Sequence, residues 1–201
     1  LLENNLRNID NTPEDIKKFA KIIKCDVTNI KDIKKSFNEI CYTFGGIDIF
    51  VSNAGAVWEG QIGTVSNKVI EESFALNFYS HQYLSQECIK ILMTQKTQGT
   101  LLYNISKQSV NPGKNIGPYG LPKASTMFLM RQYALEYGKY GIRVNGINAD
   151  RIRSGIVNNK FIEVRSKSRG TTKKEYMKGN LLNSEVLAED VAKGFVFLAK
   201  S

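Results

Sequence analysis

The chain has 201 residues, which suits one ordinary α/β domain or at most two small ones. With 42% apolar and 23% charged residues it is not a disordered chain, and no apolar run approaches the roughly 18–20 residues that span a bilayer. A net charge of +9 leaves four readings open: nucleic acid, a membrane surface, an anionic substrate or a solvated basic face.

The opening LLENNLRNID has no apolar core and does not read as a signal peptide. Cys25, Cys41 and Cys88 are odd in number and lie among apolar residues, which predicts free thiols in a reducing, cytoplasmic compartment. The single histidine, His81, has no partner at ligand spacing, so no metal site is expected.

The first 18 residues read as loop and helix, with Thr12 capping and Pro13 opening a short helix. Ile22–Cys25 is a short β-rich run. Ile30, Ile33, Phe37, Ile40, Cys41 and Phe44 then recur at spacings of three and four, one face of a helix that Gly45-Gly46 ends. A strand at Ile47–Val51 precedes a helix from about Lys68 to Thr94. A strand at Leu101–Ile105 precedes a helix from about Tyr119 to Gly138. A strand at Ile142–Ile147 follows, and Val186, Val191, Phe195 and Leu198 mark a last helix.

Strand alternating with helix predicts βαβ units and a parallel sheet. Ligands bind such sheets beyond the carboxyl ends of the strands. The residues to read for chemistry are therefore Asp26, Asn53-Ala54-Gly55, Ser106 and Asn148-Ala149-Asp150.

Tyr119 and Lys123 stand four apart at the start of a helix, on one face. A nearby ammonium favours the phenolate and lowers the tyrosine pKa, which suits a general acid or base toward an alcohol or carbonyl. Ser106, at a strand end, is placed to hydrogen-bond the same oxygen. Asn77, inside the preceding helix, is placed to hold a water through a local backbone kink. Alone, a tyrosine and lysine at this spacing are a common surface pair.

Together these pieces resemble the short-chain dehydrogenase/reductase superfamily over most of the chain. The matches are Cys25-Asp26-Val27-Thr28, Phe44-Gly45-Gly46-Ile47-Asp48, Val51-Ser52-Asn53-Ala54-Gly55, Leu76-Asn77-Phe78, Ser106, Tyr119 with Lys123, and Gly141-Ile142-Arg143-Val144-Asn145. The resemblance implies a Rossmann-like doubly wound α/β sheet with helices on both faces, and NAD or NADP as cofactor. It implies a catalytic tetrad of Asn77, Ser106, Tyr119 and Lys123. Tyr119 would exchange the proton, Ser106 would orient the substrate oxygen, Lys123 would lower the tyrosine pKa and bind the nicotinamide ribose, and Asn77 would hold a relay water. Asp26 and Val27 would contact the adenine, and Asn53, Ala54 and Gly55 would line the adenosine ribose. Ile152 and Ser154 fall where the family contacts the nicotinamide. The resemblance also implies a homodimer or homotetramer and a small-molecule substrate.

The second half is similar to the dehydrogenase half of bifunctional proteins that join a class II aldolase-like domain to a short-chain dehydrogenase, as in the rhamnulose-phosphate aldolase/alcohol dehydrogenase group. A fused or upstream aldolase domain is the partner this implies. Two departures stand out. Ala149-Asp150 replaces the usual Pro-Gly after the fourth strand, and Ser52 replaces the first asparagine of Asn-Asn-Ala-Gly. Basic residues concentrate between Lys160 and Lys178, where the superfamily places a mobile substrate loop. Arg151, Arg153 and some of the basic residues of Lys160–Lys178, Arg165 among them, are expected to attract an anionic group such as a sugar phosphate or carboxylate, against the alternative of a solvated surface.

No G-x-x-x-G-x-G turn is found, and only 25 residues precede Asp26. The expectation is one partial domain over residues 1–201, with the family's first two strands and last strand missing and the Ile22–Cys25 strand left without a neighbour toward Ile47–Val51. Either an NAD(P)-dependent oxidoreductase of secondary alcohols and carbonyls or a non-catalytic interaction module that has lost its cofactor fits that pattern. A nucleic-acid binder would need interleaved aromatics, which are lacking, and neither nucleic acid nor a membrane is expected as partner.

Overall fold

In the computed structural model, residues 1–5, 8, 10–155 and 157–200 are described. Among the described residues, five strands form two parallel sheets. In the first, β1 (Leu2–Glu3) pairs with β2 (Ile23–Lys24). In the second, β4 (Gly99–Asn104) runs between β3 (Ile49–Ser52) and β5 (Ile142–Ile147). The α/β parallel architecture is therefore as the sequence predicts.

The N-terminus requires a correction. Leu2–Glu3 is a strand, not loop, and it gives β2 a parallel neighbour in register Leu2 with Ile23. Two residues are too few to show alternation, so periodicity cannot detect such a strand. The other expectation for this region stands: β2 does not join β3, and Ile49 and Val51 on the edge strand β3 are 51% and 46% exposed.

The helices are α1 (Glu14–Lys17), α2 (Ile30–Phe44), α3 (Asn67–Phe74), α4 (Ser80–Gln95), α5 (Gly117–Tyr137), α6 (Asn159–Ser168), α7 (Lys173–Met177) and α8 (Ala188–Lys200). Pro13 lies one position before α1, and Thr12 donates to the Asn8 carbonyl instead of capping. Asn29 caps α2 through its side chain, and Gly45, at φ 80°, ends it in the left-handed conformation that glycine adopts without penalty. Between α3 and α4 the backbone widens into a π-helical turn at Ala75–Tyr79, the expected kink around Asn77.

The core forms where α2, α4 and α5 cover one face of the sheets. Ile33, Phe37, Leu84, Cys88, Leu92, Leu101, Tyr103, Ile142 and Val144 are buried there. Residues of β5 alternate between faces. Ile142 and Val144 enter that core, whereas Arg143 turns toward α8, donating to the Leu198 and Ala199 carbonyls at 2.8 and 3.0 Å. A guanidinium on the last carbonyls of a helix satisfies acceptors that have no partner within it. α6 and α7 pack on each other around a small separate core of Ile162, Tyr176 and Met177. The basic stretch thus forms a helical pair with its own apolar contacts.

Candidate active site

A cavity of about 390 Å³ opens beyond the carboxyl ends of β3, β4 and β5, as parallel sheets dictate. Asn53 after β3, Ser106 after β4, Tyr119 from α5 and the segment Arg151–Ser154 after β5 all reach it. Arg165 on α6 also lines it.

Tyr119 stands beside Ser106 on the cavity, and burial pushes the phenol above its ordinary range while the Ser106 hydroxyl pulls it back. This corrects the expectation that the neighbouring ammonium lowers it. The Lys123 Nζ lies 5.9 Å from the centre of the Tyr119 ring and donates to the Asn104 carbonyl at 3.2 Å. Desolvation is the larger force on both groups. Lys123 is only 3% exposed, and burial brings its pKa down to about 8.

Asn77 is wholly buried, but not at the cavity wall. Its side chain clasps the loop after β3, accepting from the Ala56 N–H at 3.3 Å and donating to the Ala56 carbonyl at 2.9 Å. Its own carbonyl accepts the Thr126 hydroxyl at 2.7 Å, so that acceptor is engaged within the protein. Gly55 sits directly against this group: a Cβ there would lie 2.9 Å from Asn77 Oδ1 and 3.5 Å from Lys123 Nζ. The turn after β3 therefore presses its backbone onto two of the tetrad residues, which only glycine permits.

The remaining expected residues divide. Asn53 accepts from the Asn104 amide at 2.7 Å, bridging the ends of β3 and β4. Asp26 folds its carboxylate back onto the N–H and hydroxyl of Thr28, and Val27 packs on the core. Neither lies on the cavity. The three expected anion-binding arginines already hold partners. Arg151 meets Asp150 at 3.3 Å, Arg153 meets Glu185 at 2.6 Å, and Arg165 meets Glu59 at 3.1 Å.

Four further features bear on the site. Ser52 Oγ and His81 Nδ1 are 2.5 Å apart beneath the Asn53–Gly55 turn, and burial, with the charge on Lys123, brings His81 down to about 3 and keeps it neutral. The signal was present in Ser52 itself and in His81 one helical turn beyond Asn77. Lys107 meets Asp150 at 2.6 Å, tying the loop that carries Ser106 to the loop after β5. Burial pushes the Asp150 carboxyl up, but Lys107, the Arg151 N–H and both cations together hold it below its ordinary range. Arg169 and Tyr176 also line the cavity. Finally, Glu3 ends β1 beside Lys24 and Cys25.

A family model described as enoyl-(acyl carrier protein) reductase matches residues 3–201. The chain belongs to the short-chain dehydrogenase/reductase superfamily. Among its relatives, an uncharacterized oxidoreductase, YuxG, of Bacillus subtilis is 32% identical over 90% of this chain and 27% of its own length. A sorbose reductase of Candida albicans is 28% identical over 90% of this chain and 63% of its own. The chain thus spans less than two thirds of either relative. The solved structure of ElxO with NADP bound shares the fold at a TM-score of 0.85 and 18% identity, covering 98% of this chain and 79% of that one. No described helix of this superfamily member is long and apolar enough to cross a membrane.

Proposed function

We propose that the chain carries the catalytic half of an NAD(P)-dependent oxidoreductase acting on a secondary alcohol or its carbonyl, of sugar-like size. The observation that carries this reading is the placing of a half-buried Tyr119 beside Ser106 at the wall of the strand-end cavity, with Lys123 behind it. A sugar-type relative, the Candida sorbose reductase, and a neighbour with NADP bound support the substrate class and the cofactor.

The close approach of Gly55 to Asn77 and Lys123 leaves a backbone surface that suits a nicotinamide dinucleotide, with Asn53, Ala54, Gly55, Ile152 and Ser154 as its holders. When bound, that group accepts or donates the hydride. Ser106 donates a hydrogen bond to the substrate oxygen and fixes its orientation. Tyr119 removes the hydroxyl proton during oxidation and returns it during reduction. For oxidation the phenol must first lose its own proton. Burial opposes that loss, so oxidation gains rate as the pH rises. Lys123 holds the Asn104 carbonyl, and with it the end of β4 that leads into Ser106.

Glu3 favours NAD over NADP. Its carboxylate, accepting from the Asn5 N–H at 2.8 Å, stands at the carboxyl end of β1. In dinucleotide-binding sheets an acid in this kind of position accepts from the ribose 2′-hydroxyl and repels a 2′-phosphate. Asp26 serves its own loop. Free cysteines fit a cytoplasmic home, and the exposed Phe128 and Leu135 on α5 supply an apolar face for a homodimer or homotetramer.

The test is oxidation of a panel of polyols with NAD and with NADP, followed through reduced-nicotinamide absorbance. Tyr119→Phe should lose at least a thousandfold in kcat/KM. Unaltered turnover in that variant would remove Tyr119 from the reaction.

A further inference from the structure

We infer that Arg169 and Arg165, on the Tyr176 wall of the cavity, form a subsite for the phosphate or carboxylate end of the substrate. This rests on the reading of the cavity as the substrate site.

Charge accounting inside the cavity supports it. Five cations line the space: Lys107, Arg151, Arg153, Arg165 and Arg169. Three carboxylates bond to them, with Asp150 shared by Lys107 and Arg151, Glu185 on Arg153 and Glu59 on Arg165. Two positive charges are left over, and α6's C-terminal dipole offsets only about half of one. Arg169 is the lining cation with no ion pair among the described residues.

The second observation is an unmade hydrogen bond. Arg165 is 6% exposed, and its Nη1 is used on Glu59 and the Lys114 carbonyl. Its Nε–H has no acceptor among the described residues. A buried guanidinium donor without an acceptor is costly. A small turn of the Arg165 side chain toward an anionic oxygen in the cavity would supply one.

Geometry adds a third. Arg165 and Arg169 are four residues apart on α6 and at its end, so they share a face. Arg151 and Arg169 both stack on the ring of Tyr176, at 4.6 and 5.5 Å from its centre. Two like charges at most about 10 Å apart repel across a partly dry cavity unless an anion lies between them. Tyr176 itself is fixed by Ile162 and Met177. Guanidinium groups match phosphate and carboxylate oxygens in pairs. With Ser106 and Tyr119 lining the same cavity, the substrate is a hydroxy or keto compound bearing an anionic group, a polyol phosphate or a sugar acid.

Equilibrium dialysis of radiolabelled inorganic phosphate, and separately of radiolabelled acetate, tests the subsite at constant ionic strength. Saturable binding of either supports it and tells which anion it prefers. Arg169→Met should weaken that binding at least tenfold. Lys167→Met removes the same charge from the same helix outside the cavity and should change it less than twofold. No saturable binding of either anion, or equal weakening by both variants, overturns the inference. Arg169 is exposed, so its loss leaves folding intact, which circular dichroism checks.

A kinetic arm separates this inference from the broader one. Sorbitol and sorbitol 6-phosphate are compared as substrates, and the phosphorylated compound should show the lower KM in the wild type, with the ratio collapsing toward one in Arg169→Met. Phosphate binding without oxidation of either compound leaves the subsite standing and removes the oxidoreductase reading. Oxidation of sorbitol without anion binding removes the subsite alone.

Discussion

Lys123→Met should make the protein more stable while destroying its activity. Lys123 is buried, and its pKa falls from 10.5 to about 8 through desolvation. That drop corresponds to ~3 kcal/mol of cost for carrying the charge inside the native state. Methionine has similar length and no charge, but it abandons the Asn104 carbonyl, a loss of roughly 1–2 kcal/mol. The net gain is about 1–2 kcal/mol, or roughly 2–8 °C in Tm for a chain of this size. The pH dependence fixes the cause. Below pH 8 the lysine is charged in both states and the native state bears the full cost. Between about 8 and 10.5 the native state releases its proton first, so wild-type stability rises with pH and the advantage of the variant shrinks. Calorimetric Tm values of both proteins at pH 7 and pH 10 measure this. A variant less stable at pH 7, or an advantage that does not change with pH, would refute the reasoning.

Three further outcomes follow from the geometry. Gly55→Ala places a methyl 2.9 Å from Asn77 Oδ1, and the cofactor Kd measured by fluorescence titration should rise at least tenfold, with a Tm loss of a few degrees. Glu3→Ser should narrow the NAD to NADP ratio of kcat/KM by about tenfold, read from steady-state rates with each cofactor. Asp150→Asn should lower kcat through the loop that carries Ser106. In the wild type the Asp150 contribution to stability is present above pH 3.8 and is lost as the pH falls through its depressed native value, so acid titrations of the two proteins should converge there.

The parts of the site that the sequence discloses are those at strand ends. Ser106, Tyr119 and Arg151–Ser154 meet because a parallel sheet gathers its carboxyl ends, and each strand leading there is long enough to show a pattern. The two-residue β1 carries no pattern, and Glu3 was hidden with it. The partners of the arginines were equally hidden, because Arg165 and Glu59 are 106 residues apart and only packing joins them. Charge composition alone therefore does not separate the arginines: Arg151, Arg153 and Arg165 are ion-paired, and Arg169 has no ion pair among the described residues. The Tyr119–Lys123 spacing correctly placed the pair on one face, yet spacing carries no information on burial, which governs both pKa values.

The central claim is that Tyr119 moves a proton while hydride passes between substrate carbon and nicotinamide. It is tested by supplying a polyol deuterated at the reacting carbon together with NAD, and following deuterium into the reduced nicotinamide by NMR. The account predicts transfer to one face of the nicotinamide by the wild type and at least a thousandfold slower transfer by Tyr119→Phe. No transfer by the wild type, or an equal rate in both proteins, would contradict it.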